Sequence, residues 1–97
     1  MEKLIDLNNL YDLYGELLTE KQKKYFEEYY FNNLSYGEIS EKYNISRNAC
    51  FKQLKIIEEK LESFEEKLKL FYKKNKINDI ITKVEDSKLK EELENLF

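Results

Sequence analysis

The sequence predicts an all-α fold: a helix-turn-helix bundle carrying a long recognition helix and short C-terminal helices. Three observations lead there. Proline is absent from all 97 residues, so nothing removes a helical amide or wedges a ring into a helical turn. Apolar residues recur at intervals of three and four over most of the length, the mark of one buried stripe on each helix. Between Leu34 and Cys50, two helix starts stand on either side of a short turn.

The elements follow in order. Leu4, Leu7, Tyr11 and Tyr14, with Leu10 alongside, give residues 2 to 14 one apolar face, and Gly15 is the natural stop. Thr19 and Gln22 form a capping-box pair that opens a second helix, running to about Phe31 and closed by Asn32-Asn33. Its aromatic cluster from Tyr25 to Phe31 has helical spacing, which favours core packing over a stacking platform for single-stranded nucleic acid. Ser35 and Glu38 make a second capping box, with Leu34 and Ile39 at the staple positions. Asn44, which tolerates left-handed backbone, ends that helix, and Ser46 caps the next with Ile45 and Cys50 as its staple. Gly37, in the first turn of the third helix, leaves room for another helix to approach, or for a phosphate.

From Arg47 no local stop signal occurs before the Lys73-Lys74-Asn75-Lys76 run, which predicts one helix of about 28 residues and roughly 42 Å. Along it Cys50, Leu54, Ile57, Leu61, Phe64, Leu68 and Phe71 alternate spacings of four and three, a heptad seam. A recognition helix needs only two or three turns, so the distal half must bury its stripe elsewhere. A homodimer through Leu61, Phe64, Leu68 and Phe71 is the expectation. The rival is a C-terminal segment folding back, with Ile77, Ile80, Ile81 and Val84, then Leu89, Leu93 and Leu96, on short helices broken near Asp86-Ser87. Residues 1–57 are thus read as the helix-turn-helix bundle and 58–97 as the extended helix with its C-terminal appendage, one structural unit with the first.

Composition excludes several functions. One cysteine permits no internal disulfide, and without histidine the usual zinc ligand set and the commonest general base are both missing. No nucleotide-binding glycine pattern or nucleophile with a base appears, so an enzyme is not expected, and neither metal nor cofactor. The Glu-Glu pairs read as solvated helix faces. No stretch is long and apolar enough to span a membrane and no signal peptide is evident, so a cytoplasmic protein is expected.

Net charge is −3, which argues against a strong nonspecific nucleic-acid binder, but its distribution is uneven. Residues 1–46 carry five lysines against nine acids, net −4; residues 47–76 carry nine basic groups against five acids, net +4; residues 77–97 carry three against six, net −3. Arg47, the only arginine, opens the recognition helix, and between 47 and 57 it is joined by Lys52 and Lys55 with no acid. Arg47 and Asn48 would reach base edges or phosphate, while Ser46, Lys52 and Lys55 would hold backbone phosphates.

Several phrases are more specific than the helix-turn-helix itself: Leu10-Tyr11-Asp12-Leu13-Tyr14-Gly15, Leu18-Thr19-Glu20-Lys21-Gln22, Tyr29-Tyr30, Leu34-Ser35-Tyr36-Gly37-Glu38-Ile39 and Ile45-Ser46-Arg47-Asn48-Ala49. Together they resemble the YlxM family, small bacterial proteins with a helix-turn-helix like region 4 of sigma factors. The resemblance runs from Leu10 to about Leu70 and carries nothing past Lys73. It implies an all-α fold, a DNA-binding role, and a link by gene neighbourhood to the signal recognition particle pathway. Cys50 stands where an aliphatic residue such as valine is usual, a mild change within the core.

Two functions compete on these grounds. One is a DNA-binding regulator reading the major groove. The other is a protein or ribonucleoprotein interaction module of the targeting machinery, with components of the signal recognition particle as partners and no sequence-specific DNA contact; the acidic pI and the long apolar seam suit it. Salt separates them, because binding through several phosphates must weaken steeply as salt rises.

Overall fold

The helix starts are where local side-chain chemistry satisfies orphan amides. In the structure, a computed structural model describing residues 3–96 with side chains from Leu7 onward, six α-helices form: α1 (Lys3–Tyr14), α2 (Glu20–Tyr30), α3 (Tyr36–Tyr43), α4 (Arg47–Leu68), α5 (Leu70–Ile81) and α6 (Ser87–Glu94). Leu4 of the predicted first face lies outside the described side chains. Gly15 ends α1 by opening a 3-10 turn to Leu17. Both capping boxes form: Thr19 Oγ1 accepts from the Gln22 amide at 3.1 Å while Gln22 Oε1 accepts from the Thr19 amide at 3.0 Å, and Ser35 and Glu38 repeat the exchange at 3.1 and 3.0 Å.

The core gathers Leu7, Leu10, Tyr14, Leu18, Tyr25, Phe26, Ile39, Cys50, Leu54, Ile57 and Leu61, with α4 as the shared axis against which α1, α2 and α3 pack. The aromatic cluster serves packing, as its spacing implies: the Tyr11 and Phe26 rings stack at 4.3 Å, and Phe26 meets Tyr30 at 4.5 Å.

Two expectations fail. The long helix does not continue to the Lys73–Lys76 run; it ends at Leu68, Lys69 adopts left-handed backbone (φ 53°, ψ 35°), and α5 carries that lysine run in its interior. The cause lies far away in sequence. The Tyr14 hydroxyl donates to Glu65 Oε1 at 2.6 Å and accepts from the Leu70 amide at 3.0 Å, while the Glu65 carboxylate accepts from the amides of Phe71 and Tyr72 at 3.0 and 3.2 Å. Glu65 and Tyr14 together therefore cap α5, whose own N-cap, Lys69, offers no side-chain hydrogen bond.

The reach of the N-terminal bundle is the second correction. α1 runs far enough along α4 that Leu61 is 0% exposed inside the chain, Phe64 lies 5.9 Å from the Tyr14 ring, and Phe71 packs against the same core. Of the four residues expected at a dimer contact, only Leu68 is substantially open, at 45% exposure. Packing is continuous across residue 57, and α5 returns against α1 while α6 packs on α5.

The Glu-Glu pairs are also less solvated than their composition implies. Glu27 accepts from Tyr11, Glu28 from Tyr43, Glu58 from Tyr30 and Glu65 from Tyr14, each through the tyrosine hydroxyl. These charge-assisted bonds tie α1, α2, α3 and α4 together at the edges of the core. Burial, and then the adjacent carboxylate, push the Tyr11 and Tyr30 hydroxyls above the ordinary phenol range.

Candidate nucleic-acid interface

The turn between α3 and α4 is set by Asn44. Its φ of 56° and ψ of 48° are left-handed, and the Ile45 amide reaches back to the Ser40 carbonyl at 2.9 Å, closing the last turn of α3. Ser40 is small and buried, and its hydroxyl donates to the Gly37 carbonyl at 2.7 Å, so no bulk separates the two helices. Ser46 Oγ then accepts from the Ala49 amide at 3.0 Å and starts α4. Ile39 is enclosed between them.

A carboxylate holds this unit to α2. Glu28 is buried and accepts from Asn32 Nδ2 at 2.8 Å and from Tyr43 at 3.0 Å, and it pairs with Lys42. The Lys42 ammonium first, and then the Asn32 amide, pull its carboxyl down to about 2. Only the Glu28–Asn32 spacing of four hinted at this in the sequence; the α3 partners are long-range.

On α4, Arg47, Asn48, Lys52 and Lys55 are all exposed and fall within a sector of about 140° on the helix, with Ser46 at its entrance. The buried Cys50, Leu54, Ile57 and Leu61 lie outside that sector. The candidate residues are thus brought onto one outward face. The structure adds two features. Phe51, 46% exposed, sits in the middle of the sector with its edge on Tyr36 at 5.8 Å, and Tyr36 stacks on Tyr29 at 5.1 Å. Arg47 does not extend straight outward: its Nη2, Nε and Cζ lie 3.0, 3.1 and 3.2 Å from the point a β-carbon on residue 37 would occupy. What fills the space left by Gly37 is therefore the arginine of the next helix.

A model of the family described as "Putative helix-turn-helix protein, YlxM / p13 like", UPF0122, matches residues 1–96. The chain belongs to this family. Within UPF0122, a Bacillus velezensis protein is 44% identical over 94 residues, covering 95% of this chain and 86% of its own length. A Halalkalibacterium halodurans member is 44% identical over 62 residues, 64% of this chain, and an Oceanobacillus iheyensis member 46% over 63 residues, 65% of this chain. For those two the match takes in 57% and 60% of the relative's own length, so the chain spans under two thirds of each. The family match continues past Lys73, beyond the phrases by which the sequence resembles YlxM.

In this UPF0122 chain Cys50 is buried and burial pushes its thiol up, away from the thiolate that redox or nucleophilic chemistry needs. Among the described residues no group of three histidine, cysteine or acidic side chains could hold a metal, and no helix is long and apolar enough to cross a membrane. Beside the basic sector, a groove of about 370 Å³ is lined by Tyr36, Phe51, Leu54 and Lys55 and rimmed by Glu58, Glu59 and Glu62.

Proposed function

We propose that this chain is a cytoplasmic DNA-binding regulator that reads the major groove with the first turns of α4. The supporting observation is the exposed cluster of Arg47, Asn48, Lys52 and Lys55 on the first turns of α4, where residues 47–57 include no acid, presented by two closely crossed, capped helices. The geometry suits direct readout: Arg47 and Asn48 stand at the N-terminal end of the helix, where base edges are met, and Phe51 offers an apolar contact for a thymine methyl. Ser46, Lys52 and Lys55 are assigned to phosphates, which fix register. As a dimer the protein would present two such helices to a palindromic site. A role in the signal recognition particle pathway rests on the YlxM resemblance.

The test is duplex binding over a salt series. Affinity for a selected site should fall steeply, on the order of 10³-fold or more between 50 and 200 mM salt if six phosphates are held. Arg47→Ala should lower affinity while stability moves within about 0.5 kcal/mol, and Arg47→Lys should not restore the two-pronged contact. Binding to the selected site that ignores both changes would remove the major-groove reading.

The alternative, an interaction module without sequence-specific DNA contact, is favoured by the acid-rimmed groove beside Phe51, which suits a basic protein segment better than a phosphate backbone. Capture from cell extract with and without nuclease separates the two. Retention of the same protein partners after nuclease, with no salt-sensitive duplex binding, would favour the module.

A further inference from the structure

We propose that Gly37 is a positioning residue for Arg47, seating the guanidinium at the entrance of α4 so that it meets a guanine edge already oriented. The seat matters to function only under the major-groove reading, and deepens it. No backbone demand explains the glycine, because no glycine of the described residues has positive φ. Position 37 lies in the first turn of an eight-residue helix, where any other residue but proline would favour the helix more. The missing side chain is used in one way: the space over its α-carbon is occupied by the arginine fork, three of whose atoms lie 3.0 to 3.2 Å from where a β-carbon would be.

The physical benefit is preorganisation. A guanidinium on a free three-carbon stem samples many rotamers and must surrender them on binding. One held against α3 has fewer to lose, and its planar fork keeps a fixed aspect toward the groove. A methyl at 37 would lift the fork away. Because that fork is the far end of a flexible side chain, the displacement would cost the fold little and fall on Arg47's placement. The observation also explains why an arginine stands here in a chain whose sixteen other basic residues are all lysine: an ammonium has no plane to lay over a glycine.

The experiment compares the intact chain with Gly37→Ala, Arg47→Ala and the double variant. Because Arg47 is the only arginine, its Nε–Hε group gives a single resonance, and a nuclear Overhauser contact to the Gly37 α-protons reports the seat directly. In Gly37→Ala the melting temperature should hold or rise and the Nε–Hε resonance should shift. Affinity for a duplex selected with the intact chain should fall about tenfold, the scale of one lost two-pronged base contact, with much less change on random duplex. The double variant should bind no worse than Arg47→Ala. Gly37→Ala that binds within twofold of the intact chain while Arg47→Ala loses binding overturns the seat and leaves the DNA reading standing, as does an unmoved Nε–Hε resonance. An intact chain with no salt-sensitive duplex binding overturns the DNA reading and the positioning role together.

Discussion

Ile39 and Glu28 show how differently single residues hold the motif. Ile39 is completely enclosed where α3 crosses α4, so Ile39→Ala should cost about 2 to 5 kcal/mol, read as a drop in urea midpoint. Ile45 is only partly buried, and the same truncation there should cost less; equal losses would mean that the turn rather than the crossing carries the packing. Glu28 acts through charge. Its carboxyl is held at about 2 against an ordinary 4.5, chiefly by Lys42 and then Asn32. A folded-state value below the unfolded one gives stability that is present above 4.5 and is lost as pH falls from there toward about 2. Glu28→Gln should therefore destabilise the neutral-pH protein and flatten the fall of melting temperature across that acid window. An unchanged acid limb would show that Glu28 contributes nothing through its ionisation.

At the scale of elements, what was legible in the sequence was whatever is encoded within four residues. The capping boxes at Thr19 and Ser35, the Asn44 turn and the Ser46 cap are local donor and acceptor arrangements, and each stands where its residues predict. The break at Lys69 was not legible, because the groups that make it, Tyr14 and Glu65, act on Leu70 from 56 and on Phe71 from 6 residues away, and the heptad pattern runs through the break without a miss. The seat of Arg47 on Gly37 was hidden in the same way: the sequence shows that room exists but not what enters it. Lys69→Gly tests the break by its sign. Left-handed backbone costs a residue with a β-carbon about 1 kcal/mol or more, so glycine there should stabilise the protein by roughly 0.5 to 1 kcal/mol. In a continuous helix the same change would destabilise by a similar amount. Tyr14→Phe should cost about 1 kcal/mol and speed amide exchange at Leu70, whose acceptor it removes.

The molecule as a whole is elongated, 55 by 25 by 25 Å, with α5 and α6 following the bundle built around α4. Those last two helices set the problem that self-association would solve. α6 is eight residues long and buries none of them fully, and Leu68, Tyr72, Ile80, Leu89 and Leu96 are all about half exposed. Helices shorter than about 12 to 15 residues are marginal in water without tertiary packing, and the main packing α6 finds is on α5. A second copy laid against the outward faces of α5 and α6 would cover this surface and supply the missing packing. The proposed homodimer is thus moved from the heptad seam, whose Leu61 is spent inside the chain, to Leu68 and the helices beyond it. A two-fold arrangement would set two α4 entrances at a fixed separation, which a palindromic half-site spacing of about 34 Å or its multiples must match. The deciding measurement is sedimentation equilibrium at micromolar concentrations on the intact chain and on Leu68→Glu with Ile80→Glu, both at half-exposed positions where the monomer fold tolerates charge. The intact chain should approach twice 11.9 kDa and the variant should stay monomeric with its helicity unchanged. An intact chain that remains monomeric throughout would sink the dimer, and would leave the half-exposed faces of α5 and α6 to a different protein.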